Sequence, residues 1–279
     1  MFSEKFGYKM VKEIQHESVS DSLRVRIWNL FYLSEIQDGG LSSVRISQAF
    51  SGKPSIEEIV ADKLGFNVST KRGRSLLEQI EHFLLNDSHW FEVYDFIEIH
   101  LSNIEEASRI ERIKQYNKLL EEENAGYRVI AGAVVPITNP SEIQTIECVI
   151  NSEYDSVSLH MKKALSLYAD FKSHDYENSI KESISAVEAM CCIITGMTGA
   201  QATLGKAIKK LKDNGVYIHT AMENAFASLY GYTSDENGIR HGGIDFTNAP
   251  EEDAKFMLIT CSAFVNYLIE KQSKILPTT

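Results

Sequence analysis

The sequence is poor in cysteine, and its cysteines lack the spacing of a metal site. Cys148, Cys191, Cys192 and Cys261 include no Cys-x-x-Cys motif. Disulfide frameworks and zinc sites both depend on repeated cysteine spacings. We therefore expect four reduced, buried thiols, no metal and a cytoplasmic protein. Glycine motifs of the Walker or dinucleotide type are missing too, so no cofactor is expected.

Long apolar runs and an excess of positive charge are also missing. No uninterrupted apolar stretch reaches the roughly 20 residues that cross a bilayer, and the N-terminus lacks the apolar core of a signal peptide. We therefore expect no membrane partner. The 28 Lys and Arg against 39 Asp and Glu give a net charge of −11. Because the phosphate backbone repels such a protein, any contact with RNA must use a local basic patch.

The first half of the chain contains apolar residues at helical spacing. Those between Leu23 and Phe31 share one helix face, after a capping residue at Ser20 or Asp21. Further helical patterns cover residues 56–64, 76–84 and 104–123. The period then changes in two short runs on either side of Gly132, which predicts a small β-hairpin.

The second half carries a longer apolar stripe at helical spacing. It comprises Ile180, Ile184, Val187, Cys191 and Ile194. With the neighbouring patterns it predicts about five helices and a bundle. The predicted fold is mainly α. An N-terminal, mostly helical domain with a small β-hairpin covers residues 1–150, and a C-terminal helical bundle covers residues 151–279.

One segment of the second half, residues 230–243, concentrates small, polar and ionisable residues. Arg240 and His241 are its only adjacent Arg-His pair. The arginine side chain offers a fork of donors that matches a phosphate, and a histidine exchanges its proton near neutral pH. Alternatively, Arg240 pairs with Asp235 or Glu236 and only holds the loop, while His241 is a packing residue.

Distinctive segments in both halves resemble a known family. The second half contains 179–189 (SIKESISAVEA), 203–207 (TLGKA), 230–235 (YGYTSD) and 238–241 (GIRH). Together they resemble the HEPN domain of AbiJ-type abortive-infection proteins, over most of residues 155–273. The first half contains 2–8 (FSEKFGY), 23–29 (LRVRIWN), 126–128 (GYR) and 135–138 (VPIT). These segments resemble an AbiJ N-terminal domain.

The resemblance implies a helical bundle that forms a homodimer through the C-terminal domain. Many HEPN domains are metal-independent RNases in which the ribose 2′-hydroxyl attacks the neighbouring phosphate. A histidine assists the proton movement and an arginine stabilises the charge on the phosphate oxygens. In this chain the resemblance implies Arg240 and His241 as catalytic residues and arrest of phage growth as the role. The supporting residues would be Glu188, Asp235, Glu236 and Asn237.

The chain departs from the common HEPN pattern at one point. That pattern has a histidine four to six residues after the arginine, and residues 244–247 contain none. Neighbouring side chains on a helix point about 100° apart. Arg240 and His241 therefore reach one phosphate only from a loop, or from two protomers. The departure favours a second hypothesis, a non-catalytic HEPN module that binds a nucleotide, RNA or a partner protein.

Other charged residues have two interpretations each. Lys206, Lys209 and Lys210 are candidates for a basic ridge that binds RNA, or are helix-end charges in solvent. Glu188 either holds Arg240 in place or is an ordinary surface acid. The remaining histidines show no metal-ligand spacing and are expected at the surface or in packing. They are His16, His82, His89, His100, His160, His174 and His219.

Overall fold

The computed structural model describes residues 14–37, 54–68, 75–170, 175–197, 206, 208, 210–211, 215–234 and 249–273. The chain divides into two compact units, an N-terminal unit (Met1–Thr138) and a C-terminal unit (Asn139–Thr279). The prediction of a mainly α protein with a small β-hairpin is confirmed. No helix among the described residues combines the length and the apolar character that crossing a bilayer requires.

The described part of the N-terminal unit consists of helices followed by a hairpin. Its elements are α1 (Asp21–Phe31), a π-helical segment (Tyr32–Gln37), α2 (Ile56–Lys63), α3 (Leu76–His82), a second π-helical segment (Phe83–Asp87), α4 (Trp90–Ser102), α5 (Glu106–Glu122), β1 (Arg128–Ile130) and β2 (Ala133–Val135). The predicted apolar face of α1 is confirmed, because Leu23, Ile27 and Phe31 are fully buried. They pack in one core with buried residues of α4 and α5, such as Phe96 and Tyr116.

Serine caps determine where α1, α2 and α3 begin. The Ser20 hydroxyl accepts a hydrogen bond from the backbone N–H of Leu23 at 3.3 Å, as predicted for the start of α1. Ser55 and Ser75 begin α2 and α3, each in a capping box with the glutamate three residues later. A cap of this kind gives a partner to an N–H group that the helix itself leaves unpaired. Local sequence is therefore sufficient to place these helix starts.

The predicted β-hairpin is formed by β1 and β2. The strands are antiparallel, and Ile130 pairs with Ala133 next to the turn. Both turn residues have positive φ, 51° at Ala131 and 92° at Gly132, which matches the twist of a two-residue hairpin turn. The Asn117 side chain on α5 donates to the carbonyl of Val129 at 2.8 Å and accepts from its N–H at 2.7 Å. These two bonds attach the hairpin to α5.

Gly126, one of the residues that carry the family resemblance, lies against the N-terminal segment of the chain. Gln15 forms a parallel bridge with Ala125, and the N–H of Gly126 donates to the Gln15 carbonyl at 3.0 Å. A Cβ atom at Gly126 would lie 2.6 Å from Nδ1 of His16 and 2.9 Å from the Gln15 carbonyl oxygen. Both distances are far below contact distance, so the close approach of the two segments requires glycine.

The C-terminal unit is a helical bundle. Its elements are α6 (Pro140–Ile150), α7 (Asp155–Ala169), α8 (Tyr176–Thr195), α9 (Thr220–Ser234) and α10 (Glu251–Ser273). The predicted stripe on α8 is confirmed, because Ile180, Ile184, Val187 and Cys191 are at most 2% exposed. The helix ends at Gly196, whose φ of 65° is the left-handed conformation common at helix C-termini.

Helix α7 packs closely against α8 and runs antiparallel to α10. The buried Ser179 hydroxyl on α8 donates to the Ala164 carbonyl on α7 at 2.8 Å. A hydroxyl this small satisfies its hydrogen bond while the two backbones stay close. The Ser262 hydroxyl on α10 contacts the Met161 sulfur at 3.3 Å, and Glu251, at the start of α10, contacts Tyr168. Met161 precedes Tyr168 on α7, whereas their partners on α10 occur in the reverse order, so α7 and α10 run antiparallel.

The structure assigns α6 to the C-terminal unit. Ile146, Val149 and Ile150 on this helix are buried, and Asn266 on α10 donates to the Thr145 carbonyl at 2.9 Å. The compact units therefore divide between Thr138 and Asn139. The sequence predicts the domain boundary after residue 150, twelve residues later than this division. The division into domains of separate ancestry stays a prediction.

Candidate functional site

Most of the predicted site residues lie outside the described part of the chain. These are Arg240, His241, Asp235, Glu236, Asn237 and Lys209. Glu188, Lys206 and Lys210 are described, as are the two helices that flank the segment with Arg240. The described surroundings of the site are therefore α9 and α10, on either side of this segment, and α8.

The two helices on either side of residues 235–248 are packed together. Phe226 on α9 stacks face to face on Phe264 of α10, with an angle of 13° between the rings. At the start of α10 the Tyr168 hydroxyl donates to the Glu251 carboxylate at 3.1 Å. Burial, and then the charge of Glu251, raise the pKa of Tyr168, so its hydroxyl stays protonated as the donor. The helices before and after the segment that contains Arg240 are thus anchored by contacts at Phe264 and Glu251.

Glu188 is half-buried on α8, close to two cysteines. Burial, followed by the nearby Cys192 and Glu188, raises the pKa of Cys191 to about 12. The pKa of Cys192 is raised by burial and then by Glu188. Both thiols are therefore protonated and poor nucleophiles at neutral pH. Whether Glu188 holds Arg240 stays a prediction.

The expectation that all four cysteines are buried is wrong for two of them. All four are free thiols, but Cys148 is exposed on α6 and Cys192 is only half-buried. Cys191 and Cys261 are buried as expected. The sequence did not distinguish them, because an apolar pattern does not show which helix face meets solvent. Among the described residues, no group of His, Cys, Asp or Glu side chains has the arrangement of a metal site.

The lysines proposed for RNA binding are exposed where they are described. Lys206 and Lys210 have helical backbone and exposed side chains, whereas Ile208 and Leu211 between and beside them are buried. This alternation places the two lysines one turn apart on the solvent side. The arrangement suits either a basic ridge or helix-end charges in solvent, and RNA binding stays a prediction.

A histidine cluster on α7 and α8 was not predicted from the sequence. We define the His160 cluster as His160, Lys163 and Glu182. Nδ1 of His160 lies 2.7 Å from one carboxylate oxygen of Glu182, and the Lys163 ammonium binds the other. Burial by itself raises the pKa of Glu182, but the hydrogen bonds from Lys163 and His160 outweigh it and lower the pKa. The carboxylate therefore stays ionised.

A second polar cluster, the Glu35 cluster, lies in the core of the N-terminal unit and is largely buried. It comprises Glu35, His100, Arg112 and Tyr116. Nδ1 of the fully buried His100 is 2.8 Å from the Tyr116 hydroxyl, and its Nε2 is 3.2 Å from Glu35. Arg112 donates to the same carboxylate oxygen at 3.0 Å. Glu35 reaches both partners from the π-helical segment after α1, and such segments often occur at functional positions.

The Glu35 cluster makes stability depend on pH. Burial lowers the pKa of His100 below its ordinary value of 6.5, despite the opposing effect of Glu35. Below about pH 6.5 the unfolded chain therefore binds more protons than the folded chain does. We expect the N-terminal unit to lose stability as the pH decreases through that range. His100→Gln should flatten this dependence between about pH 7 and about pH 5. Urea unfolding followed by tryptophan fluorescence measures it, because Trp28 and Trp90 both lie in this unit. An unchanged slope would contradict a neutral buried His100.

Comparison with known proteins gives one match. A family model described as AbiJ N-terminal domain 4 matches residues 1–152, more than half of the chain. The matched range covers the N-terminal unit and continues through α6, and residues 153–279 lie beyond it. No curated protein and no solved structure matches the chain.

Proposed function

Because the chain belongs to the AbiJ N-terminal domain 4 family, we propose that it acts in abortive infection, which stops phage growth at the cost of the infected cell. The match over residues 1–152 supports this role. In the proposed division of labour, the N-terminal domain senses a trigger or restrains the C-terminal domain.

The proposed activity is metal-independent cleavage of RNA by a HEPN-type C-terminal unit, acting as a homodimer. The resemblance of residues 155–273 to HEPN domains supports it, as does the helical bundle. A further observation points to one residue: Arg240 is the only arginine between residues 139 and 279. Any guanidinium that this unit offers to a phosphate must therefore belong to Arg240.

In the proposed reaction, the 2′-hydroxyl of a ribose attacks the neighbouring phosphorus atom. Arg240 donates hydrogen bonds to the non-bridging phosphate oxygens and stabilises the charge that builds up on them. His241 assists the movement of the proton. Asp235, Glu236, Asn237 and Glu188 support the loop. Lys206, Lys209 and Lys210 offer the local positive charge that an acidic protein needs to hold RNA.

The alternative function is a non-catalytic module that binds a nucleotide, RNA or a partner protein through Arg240 and His241. The specific observation in its favour is the missing histidine four to six residues after Arg240. The same residues would then contribute affinity, without any turnover.

Cleavage of total RNA by the purified full-length protein in EDTA tests the proposal. We expect Arg240→Ala to reduce cleavage about 10²–10³-fold, as for loss of a donor to a developing oxyanion. His241→Ala should reduce it about 10²–10⁴-fold, as for loss of a proton-transfer group. Arg240→Lys keeps the charge but loses the two-pronged donor, so it should remain impaired.

The control is His219→Ser, which changes a histidine of the same unit that lies at the exposed start of α9 and caps it through Nδ1. Serine retains a capping oxygen, so cleavage should stay at the wild-type rate. Equal cleavage by wild type and all variants, or none by wild type, would contradict the enzyme. RNA binding that Arg240→Ala removes without any cleavage would support the binding module.

A further inference from the structure

One stretch of the N-terminal unit contains acidic residues but neither lysine nor arginine. Residues 75–108, which include α3, the second π-helical segment and α4, contain eight Asp and Glu residues. With histidine counted as neutral, the stretch therefore contributes −8 to the chain's net charge of −11. Charge of this sign attracts cationic partners and repels the phosphates of a nucleic acid.

Arginines of other elements approach this stretch, but they are engaged with the backbone or buried. Arg24 on α1 donates to the carbonyl of Ser88 at 2.9 Å, and Arg109 on α5 donates to the carbonyl of Leu101 at 2.8 Å. Arg128 on β1 is only 9% exposed. These guanidinium groups hold the unit together, and the charge that the stretch itself presents to solvent is negative.

The start of α4 presents a phenyl ring to solvent within this acidic stretch. Phe91 is 44% exposed, although other rings contact it on two sides. The His89 ring lies nearly parallel to it, with the centroids 5.3 Å apart, and the Trp90 ring meets it at 84° with the centroids 5.7 Å apart. Trp90 in turn stacks on Tyr127. These contacts position the phenyl ring, and part of it stays open to a ligand.

A carboxylate lies next to this ring. Asp95 follows Phe91 by one helical turn, and both side chains are exposed. Residues four positions apart are neighbours on the surface of a helix. We define the α4 surface as His89, Phe91 and Asp95. It combines an exposed aromatic ring with a carboxylate, in a stretch that has no lysine or arginine of its own.

An exposed aromatic ring fits two classes of macromolecule. It stacks on the bases of a single-stranded nucleic acid, or on the guanidinium group of an arginine. The charge of the stretch decides between them. A nucleic acid would bring its phosphates next to Asp95, where they are repelled. An arginine can contact the ring of Phe91 and donate to the carboxylate of Asp95 at the same time.

We propose that the α4 surface binds an arginine-containing basic segment of a partner protein. The guanidinium group stacks on the exposed part of Phe91 and donates hydrogen bonds to the carboxylate of Asp95. The other acids of residues 75–108 attract the remaining positive charge of the segment. The partner of the α4 surface is thus a basic protein segment and not a nucleic acid, whether or not the C-terminal unit cleaves RNA.

Fluorescence anisotropy of labelled octa-arginine, titrated with the full-length protein at about 0.15 M ionic strength, tests the inference. Phe91→Ala should weaken binding about 2–5-fold, as for loss of an exposed cation–π contact. Asp95→Asn should weaken it about 2–5-fold, as for loss of an exposed ion pair. The two substitutions together should weaken it roughly tenfold. Octa-lysine should bind wild type less tightly than octa-arginine, because an ammonium group offers no planar fork of donors.

Two further variants separate recognition from packing and from net charge. Phe91→Leu keeps an apolar side chain against its neighbours but has no aromatic face, so it should weaken binding as much as Phe91→Ala. The matched control combines Phe256→Ala with Glu111→Gln, which removes an exposed ring on α10 and an exposed acid on α5. This control changes the net charge by the same amount as Phe91→Ala with Asp95→Asn, and it should bind octa-arginine as tightly as wild type.

Several results would overturn the inference. They are no binding of octa-arginine by wild type, equal binding by wild type and the Phe91→Ala, Asp95→Asn variant, and equal weakening in the matched control, which would assign binding to net charge alone. Wild-type binding of an eight-nucleotide single-stranded DNA that is lost in Phe91→Ala, Asp95→Asn would make a nucleic acid the occupant instead. Such DNA has no 2′-hydroxyl groups, so the proposed reaction cannot consume it. Because no measurement here uses RNA cleavage, this inference and the proposed nuclease fail independently.

Discussion

Replacing Arg112 with alanine is expected to lower the free energy of unfolding of the N-terminal unit by roughly 3 kcal/mol. The side chains of Arg112 and Glu35 are only 13% and 19% exposed, and they lie 3.0 Å apart. Removing the guanidinium leaves the carboxylate largely buried without a cation to balance its charge. The cost of an uncompensated buried charge exceeds the value of the ion pair itself, which is the reason for a large effect.

Urea unfolding followed by the fluorescence of Trp28 and Trp90 measures this change. Lys114→Ala is the matched control, because Lys114 is an exposed cation on the same helix, α5. Its replacement should change the free energy by less than about 0.5 kcal/mol. The double variant Glu35→Gln, Arg112→Gln removes both charges, so it should be more stable than Arg112→Ala. A double variant that is less stable would mean that the attraction, and not the uncompensated charge, dominates.

The secondary structure was predictable where its causes are local. The start of α1 at Ser20, the end of α8 at Gly196 and the turn at Gly132 each depend on residues within a few positions. The apolar stripes of α1 and α8 are equally local in origin. The π-helical segment that carries Glu35 was not predicted, because residues at this spacing have no sequence signal distinct from an α-helix.

The polar clusters were not predictable because their members are distant in sequence. Glu182 lies 22 residues from His160, and Arg112 lies 77 residues from Glu35. Pattern reasoning identifies a face that is apolar, but it does not pair one polar residue with another across helices. His160 and His100 therefore had the same expected role from sequence, whereas one is an exposed ring held by a carboxylate and the other is fully buried.

The candidate site, too, was predictable from the sequence only in part. Composition alone singled out the segment with Arg240 and His241, because ionisable residues and glycines are concentrated there. The family match supports the N-terminal assignment, over residues 1–152. A histidine partner for Arg240 in the proposed reaction could not be taken from the usual spacing, because residues 244–247 contain no histidine.

Phe264→Ala is expected to lower the free energy of unfolding of the C-terminal unit by about 3–5 kcal/mol, the usual cost of removing a buried phenyl ring. Phe264 is 2% exposed and stacks on Phe226 of α9. The cavity would loosen α9 against α10, the two helices that hold the ends of the Arg240 connection. Under the proposed function, RNA cleavage should fall as well, although no reacting group has changed.

The helix offers a matched control for this variant. Phe256 lies on α10 too but is 55% exposed, so Phe256→Ala should change stability by less than about 0.5 kcal/mol. Phe264→Leu fills most of the cavity and should cost less than about 1.5 kcal/mol. Hydrogen exchange of backbone amides in α8, α9 and α10 measures both, and faster exchange in Phe264→Ala should extend to α9. If exchange in α9 stayed at the wild-type rate, the stacking of Phe226 on Phe264 would not be the contact that stabilises α9. Cleavage restored by Phe264→Leu would then assign the loss in Phe264→Ala to packing, because leucine has no group that takes part in the reaction.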